Sequence, residues 1–302
     1  MHILITGCKG QLGTELQKQI AAGHSETGAL PACYANATVD AIDLDDLDIS
    51  CASAVDEWFG AHEAYDVVIN CAAMTNVDGC ETNFVQAFAA NALGPMNLAR
   101  ACAKTGAKLV HVSTDYVFPG TDEVPRTEED VPAPISAYGR SKLAGEGLAL
   151  AANPKTFVVR TAWLYGLVGR NFVKTMLGLG AKYDKVTVVN DQLGNPTSAA
   201  DLAHELLVLA TTDGYGIYHC TNEGTCSWAD FAQAIMDGAG LACRVERCTS
   251  ADWKRMHPES ADRPAFSSLE NARLAATIGN EMRPWRDALA SYLVTLSTLD
   301  AR

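Results

Sequence analysis

The chain has 302 residues, 48% of them apolar and 20% charged, the proportions of a globular protein with room for one large domain or two modest ones. Its formal net charge is −13 and no basic run interrupts the acidity, which excludes a nucleic-acid binder. No apolar stretch reaches the roughly 18 residues of a membrane span, and Met1 to Thr6 lead straight into a strand pattern without a basic region or cleavage site, so a cytoplasmic protein is expected.

His2 to Thr6 form a short apolar run, followed by Gly7-Cys8-Lys9-Gly10-Gln11-Leu12-Gly13 and a helical pattern through Ala22. That is strand, glycine-rich turn, helix. In this arrangement Gly7 permits a tight turn, Gly10 lets backbone approach a pyrophosphate, and Gly13 lets helix pack on strand. Gln11 and Leu12 stand where the helix N-terminus turns its free N–H groups to phosphate. The second strand, Val39 to Ile42, ends in Asp43, an acidic residue placed to accept hydrogen bonds from an adenosine ribose. Asp43, Asp45, Asp46 and Asp48 repel a 2′-phosphate and no Arg lies among them, which leans towards NADH over NADPH, although Lys9 is near enough in sequence to reach a phosphate. Asp45 and Asp46 read as a solvated acidic loop.

Ser50 is the expected cap of a helix from Ala52 to Ala61. Asp66 to Ala73 is a continuous apolar strand of the kind buried in parallel sheets. Asn70, Ala72 and Ala73 at its end leave room for a cofactor across the backbone. Cys80 to Ala103 reads as one long helix carrying Asn91, either solvated at the surface or kinking the helix around water. Lys108 to Ser113 is the next strand and runs into Thr114-Asp115-Tyr116. The alternation of strand and helix predicts an α/β fold with a doubly wound, Rossmann-like parallel sheet. Ligands of such sheets bind at the carboxyl ends of the strands, where Gly7, Asp43, Ala72 and Thr114 all fall.

Tyr138 and Lys142 are four apart, hence one turn apart on a single helix face. An ammonium beside a phenol favours the phenolate, so the Tyr138 pKa is expected to fall towards neutrality. The chemistry that follows is hydride delivery from a nicotinamide to a carbonyl. Tyr138 supplies the proton, Lys142 holds the ribose and Thr114 bonds the carbonyl oxygen.

In the second half, Thr156 to Thr161 and Val186 to Val189 read as strands, as does Gly216 to Cys220. Helices are expected from Phe172 to about Lys182, from Asp201 to Ala210 with Ser198 as cap, from Trp228 through Met236, and from Trp285 to Leu296. Val245 and the Asp252 to Arg263 region read as loop-rich. Arg263 is a candidate for a ligand pyrophosphate, since guanidinium meets phosphate with paired hydrogen bonds, and equally for a surface salt bridge. Trp163 has the pattern of a core tryptophan. The ten cysteines lack any C-x-x-C pair and read as reduced and structural. His219 and His257 have no metal-ligand company and read as structural too.

The set Ser113-Thr114-Asp115-Tyr116-Val117-Phe118, Tyr138 to Glu146 and Arg160-Thr161-Ala162-Trp163-Leu164-Tyr165 resembles the dTDP-4-dehydrorhamnose reductases, within the extended short-chain dehydrogenase/reductases. Asp191-Gln192-Leu193-Gly194-Asn195-Pro196-Thr197 and Arg263-Pro264-Ala265-Phe266-Ser267-Ser268-Leu269 extend the likeness into the second half. The resemblance implies NAD(P)H-dependent reduction of the C4 keto group of dTDP-4-dehydro-L-rhamnose, a step towards cell-surface polysaccharide. It implies Thr114, Tyr138 and Lys142 as catalytic residues. It implies Thr114, Asp115, Trp163, Asn171 and Arg263 as sugar-nucleotide contacts, with Trp163 lying against the sugar. Members often carry Arg where Leu44 stands here, which bears on the choice between NADPH and NADH. Some members dimerise through Mg2+; no local motif for such a site is visible, and either a monomer or a homodimer is compatible with the chain.

A discontinuous division is expected, with 1–159 and about 186–221 forming the dinucleotide-binding domain. Residues 160–185 and 222–302 would form a smaller α/β substrate domain. Two other readings compete: another nucleotide-sugar epimerase or reductase, and a regulatory subunit that binds a dinucleotide without turnover. A 4,6-dehydratase would want Glu where Tyr116 stands, and an intact Thr114, Tyr138 and Lys142 argue against the regulatory subunit.

Overall fold

The computed structural model describes residues 1–300. Its centre is a six-stranded sheet of β1 (His2–Thr6), β2 (Thr38–Ile42), β3 (Val67–Asn70), β4 (Lys108–Thr114), β5 (Thr156–Thr161) and the strand Gly216–His219. All neighbours are parallel, in the order Gly216–His219, β5, β4, β3, β1, β2. The order reverses between β1 and β3, so the two connections leaving these strands part and open a crevice at their carboxyl ends.

Helices cover both faces, which is why the strands are apolar on both sides. Ile3, Ile5, Val67 and Ile69 pack with Leu12, Leu16, Leu202 and Leu206 on one face. Leu4, Val68 and Leu109 pack with Val55, Leu98, Cys102 and Ala149 on the other. The doubly wound parallel sheet read from the sequence is the observed fold.

A second, smaller core gathers Val173, Met176, Val186, Val188, Phe231, Ile235 and Leu289. Its strand Lys185–Val189 pairs in parallel with Arg244–Cys248, apart from the main sheet. The expected placement of 186–221 with the large unit thus separates: the helix Ala199–Ala210 and the strand Gly216–His219 join it, while Lys185–Val189 packs into the smaller core. The expected placement of all of 222–302 in the smaller unit changes too, because Leu274 of the helix Ala272–Ile278 and Met282 pack into the large core; we propose a discontinuous two-unit division with the strand moved to the smaller unit and this helix to the larger.

Three local expectations change. The helix Ala52–Ala61 has Cys51 at its N-cap with no side-chain bond, because Ser50 instead donates to Asp48 Oδ1 at 2.7 Å. The long helix from Cys80 is broken into Val77–Thr82, Phe84–Phe88, a π-helical turn Ala89–Leu93, and Gly94–Thr105. Asn91 explains the π turn: fully buried, it exchanges hydrogen bonds with both backbone groups of Met74 and donates to Ser141 Oγ at 3.0 Å. It therefore neither faces solvent nor relies on water. Of the residues expected to be loop, Val245 lies in the strand Arg244–Cys248, and Asp252 to Met256 belong to the helix Ser250–Met256, started by a reciprocal cap between Thr249 and Asp252.

Candidate active site

The turn after β1 is closely packed against its neighbours. Gly7 has φ +69°, and a Cβ there would lie 2.8 Å from the backbone nitrogen of Ala72 at the end of β3. A Cβ on Gly13 would lie 2.3 Å from the Gly7 carbonyl oxygen. The first glycine lets the turn abut β3, and the second seats the helix Gln11–Ala22 on the turn. Asp43 braces the turn from β2, accepting from the Lys9 N–H at 3.0 Å and from the Leu44 N–H at 2.9 Å.

A cleft of about 830 Å³ opens at this edge of the sheet. Gly7, Gly10, Gln11, Leu12, Gly13, Asp43, Ala72, Ala73, Thr114, Asp115, Tyr138, Lys142 and Trp163 all line it. Sequence-distant candidates thus converge because each stands at the carboxyl end of a strand or opens the helix that follows one.

Ser136 caps the helix Ala137–Ala152 by accepting from the Gly139 N–H, which starts the helix one residue before Tyr138. The Tyr138 ring meets Tyr116 edge-on at 5.9 Å and its hydroxyl faces Thr114. Burial holds the phenol well above its ordinary pKa, reinforced by Asp115, while Thr114 pulls it partly back. The expected fall towards neutrality is therefore overturned. Lys142 is 2% exposed and spends its ammonium on the Val112 carbonyl oxygen at 2.6 Å. Burial lowers the Lys142 pKa to about 8, opposed by the charge of Glu146 one turn further along. Tyr138 is accordingly a phenol at neutral pH, the protonation state a proton donor needs.

Thr114, at the end of β4, donates to Asp115 Oδ1 at 2.9 Å and accepts from the Tyr116 N–H at 3.2 Å. Trp163 adopts φ +46°, rare for a bulky residue, and stacks on Trp228 with ring centres 3.5 Å apart. Trp228 covers one face of the indole, and Trp163 borders the cleft.

Three expected site residues do not line the cleft. Asn70 is fully buried beneath it, accepting from Thr6 Oγ1 at 2.7 Å and from the Ala72 N–H at 3.1 Å, so it shapes the bend that presents Ala72. Asn171 caps the helix Phe172–Gly180 through the Lys174 N–H and donates to Gln11 Oε1 at 2.9 Å, which occupies its polar atoms. Arg263 is held outside the cleft by Asp78, at 3.0 Å and 3.3 Å from the two carboxylate oxygens, and by Ser260 and Ala261. It also faces the Tyr116 hydroxyl.

Sequence reasoning missed Thr161 and Arg170, both in the cleft wall. Thr161 Oγ1 is buried with no partner among the described residues, a polar atom left for a ligand. Its signal was available: it pairs with Thr114 at the adjacent strand end. Arg170 offers a cation where Lys9 is already engaged with Asp45 at 2.8 Å. Among the described residues no helix is long and apolar enough to cross a membrane, and no group of three or more His, Cys, Asp or Glu is placed to hold a metal.

A family model described as RmlD substrate binding domain matches residues 1–298. A dTDP-4-dehydrorhamnose reductase of Mycobacterium tuberculosis is 43% identical over 299 residues, spanning 97% of this chain and 92% of that one. Among solved structures, a dTDP-4-dehydrorhamnose reductase of Clostridium acetobutylicum matches with a TM-score of 0.91 at 45% identity, covering 98% of this chain and 100% of the other. The Bacillus anthracis dTDP-4-dehydrorhamnose reductase, solved in complex with NADP, matches with a TM-score of 0.89 at 36% identity, covering 97% and 99%. The chain belongs to the dTDP-4-dehydrorhamnose reductase family.

Proposed function

We propose that the protein reduces the C4 keto group of dTDP-4-dehydro-L-rhamnose to give dTDP-L-rhamnose. The observation that carries this reading is a protonated, half-buried Tyr138 facing Thr114, in a cleft that a glycine turn and a helix N-terminus also line. The residues fit a nicotinamide dinucleotide. The turn from Gly7 to Gly13 suits a pyrophosphate, Asp43 a ribose, and the unpartnered Thr161 hydroxyl a polar group of the nicotinamide end. Bound there, the reduced cofactor supplies hydride to the carbonyl carbon.

The chain's own residues do the rest. Tyr138 gives its phenolic proton to the carbonyl oxygen as negative charge develops there. Thr114 donates a hydrogen bond to the same oxygen. Lys142, buried and cationic below about pH 8, offers positive charge to the cofactor ribose. Trp163 lays an apolar face against the sugar and Arg170 offers a cation to the sugar-nucleotide pyrophosphate. A cofactor carrying deuterium at the transferred position tests the reaction: the label should appear at C4 of the product sugar, and product without label would remove direct hydride transfer.

The cofactor preference leans to NADH, because Asp43 borders the cleft with an exposed Leu44 beside it where a guanidinium would favour a 2′-phosphate. Asp43→Ala should weaken NADH binding by about tenfold, the loss of a charged hydrogen bond, and NADPH binding by less. Fluorescence titration of both cofactors checks it, and equal weakening would place the ribose contact elsewhere.

Arg263 keeps its expected role in a changed form, as a residue that reaches the sugar-nucleotide only on leaving Asp78. Arg263→Ala should raise KM for the dTDP-sugar several-fold more than KM for the cofactor. Equal changes in the two, measured by steady-state kinetics, would move Arg263 out of the substrate site.

A further inference from the structure

Trp163 is the one non-glycine residue with a left-handed backbone among the described residues. A side chain with a Cβ resists that conformation, which persists only where the surroundings fix it from several sides. Here they do. Trp163 follows the end of β5 two residues after Thr161, which pairs in register with Thr114. Its carbonyl oxygen accepts from the Thr197 N–H at 3.3 Å, and the next residues, Leu164 and Tyr165, pair with Thr197 and Ser198. Its indole lies on Trp228 only 8° from parallel, with ring centres 3.5 Å apart. Gly194 lies against the ring edge: a Cβ there would stand 2.7 Å from Trp163 Cε2 and 2.9 Å from Ser267 Oγ. Trp228 is in turn anchored by the smaller core. It is the first residue of the helix Trp228–Gly238, where Ser227 and Asp230 cap each other reciprocally. Its N–H donates to the Gln192 carbonyl oxygen at 3.3 Å, and its ring tilts against Phe172 at 4.5 Å. The large sheet thus brings the Trp163 backbone to the cleft, and the smaller core sets the plane of its ring.

We propose that Trp228 and Gly194 are positioning residues that fix the Trp163 indole as the plane on which the keto-sugar lies. Trp163 stands beside the strand ends that carry Thr114 and Thr161, so of the sugar-nucleotide it is the reacting sugar, not the base, that reaches it. Sugar C–H groups packed on an aromatic face have no hydrogen bond to orient them. The angle of the indole therefore decides the angle of the sugar, and with it where the carbonyl oxygen points. Trp228 closes one face of the indole and leaves the other to the ligand, while the missing side chain of Gly194 leaves room for the ring edge. The proposal rests on the reductase reading, in which the sugar meets Trp163, and adds how that tryptophan is held.

Trp228→Leu removes the stack and keeps an apolar side chain. KM for the dTDP-sugar should rise about tenfold, the scale of one lost aromatic contact, while KM for the cofactor stays within about twofold. Trp228→Phe keeps an aromatic face and should restore most of the difference. In a Trp163→Ala background, Trp228→Leu should have no further effect on KM for the sugar, because no indole is left to hold. The exciton couplet that two stacked indoles give in circular dichroism should vanish in Trp228→Leu. A Trp228 that only fills the core would lower stability and leave KM for the sugar unchanged. That result, or a Trp228→Leu effect that persists without Trp163, would overturn the proposal. If Trp228→Leu does not fold, Gly194→Ala makes the same test, because Gly194 lies outside the left-handed region and alanine suits its backbone. Its Cβ would push the indole aside, weaken the couplet and raise KM for the sugar by about the same factor. An effect of Gly194→Ala that survives Trp163→Ala would run through Ser267 and overturn the proposal. A Trp163→Ala variant with unchanged KM for the sugar would overturn the placement of the sugar on Trp163, and the proposal with it. The reductase reading itself falls only if the unmodified protein oxidises no cofactor with the keto-sugar.

Discussion

Replacing Tyr138 with phenylalanine should lower kcat by about a thousandfold, within the range of a positioned acid, while cofactor affinity stays nearly unchanged. The ring is kept, so its edge-on contact with Tyr116 and the start of the helix survive. Only the hydroxyl facing Thr114 is lost. The prediction depends on Tyr138 being a phenol before reaction, and burial secures that: the pKa is raised, so the acid form persists across the neutral range. Steady-state kinetics with a separate cofactor titration measures both quantities. Unchanged turnover would remove Tyr138 as the donor, and a parallel collapse of cofactor affinity would make it a binding residue instead.

The second large effect is on stability. Arg160 meets Glu146 with two hydrogen bonds, Nε to Oε1 at 3.0 Å and Nη2 to Oε2 at 2.7 Å, and both side chains are 2% exposed. Ser113 Oγ donates to the same carboxylate at 2.6 Å, and the guanidinium sits over the Phe118 ring at 5.1 Å. The pair ties β5 to the helix that carries Tyr138 and Lys142. Arg160→Met should destabilise the protein by about 3–5 kcal/mol, because Glu146 is left as a buried charge without its partner. Replacing Glu146 with leucine in the same chain should recover much of that loss, since a well-packed apolar pair avoids the desolvation of two ions. Urea unfolding followed by circular dichroism measures both variants. A single substitution that costs under about 1 kcal/mol would show that water reaches the pair.

What the sequence made legible was local chemistry placed by period and punctuation. The glycine turn after β1, the acid ending β2 and the Tyr138–Lys142 pair each lie within a few residues of a strand end or helix start. A doubly wound sheet then brings strand ends together without further information. What stayed hidden depends on partners far along the chain. Asn171 reads as a ligand contact until Gln11 and its own helix start are seen to use its polar atoms. Arg263 reads equally as a phosphate ligand or a salt-bridge cation until Asp78 is found beside it. Asn91 could not be read because Met74 and Ser141, its partners, lie in two other segments. The direction of the Tyr138 shift was misread for the same reason: spacing put Lys142 beside it, but the ammonium turns to a β4 carbonyl and burial decides the outcome.

The most direct test of the central claim is the oxidation of NADH and NADPH, followed by the absorption of the reduced nicotinamide, with dTDP-4-dehydro-L-rhamnose generated in situ. The expected result is stoichiometric loss of reduced cofactor with formation of dTDP-L-rhamnose, faster with NADH than with NADPH at equal concentration. No loss of either cofactor, with a dinucleotide bound tightly and the keto-sugar returned unreduced, would contradict the reductase and leave an epimerase or a regulatory subunit.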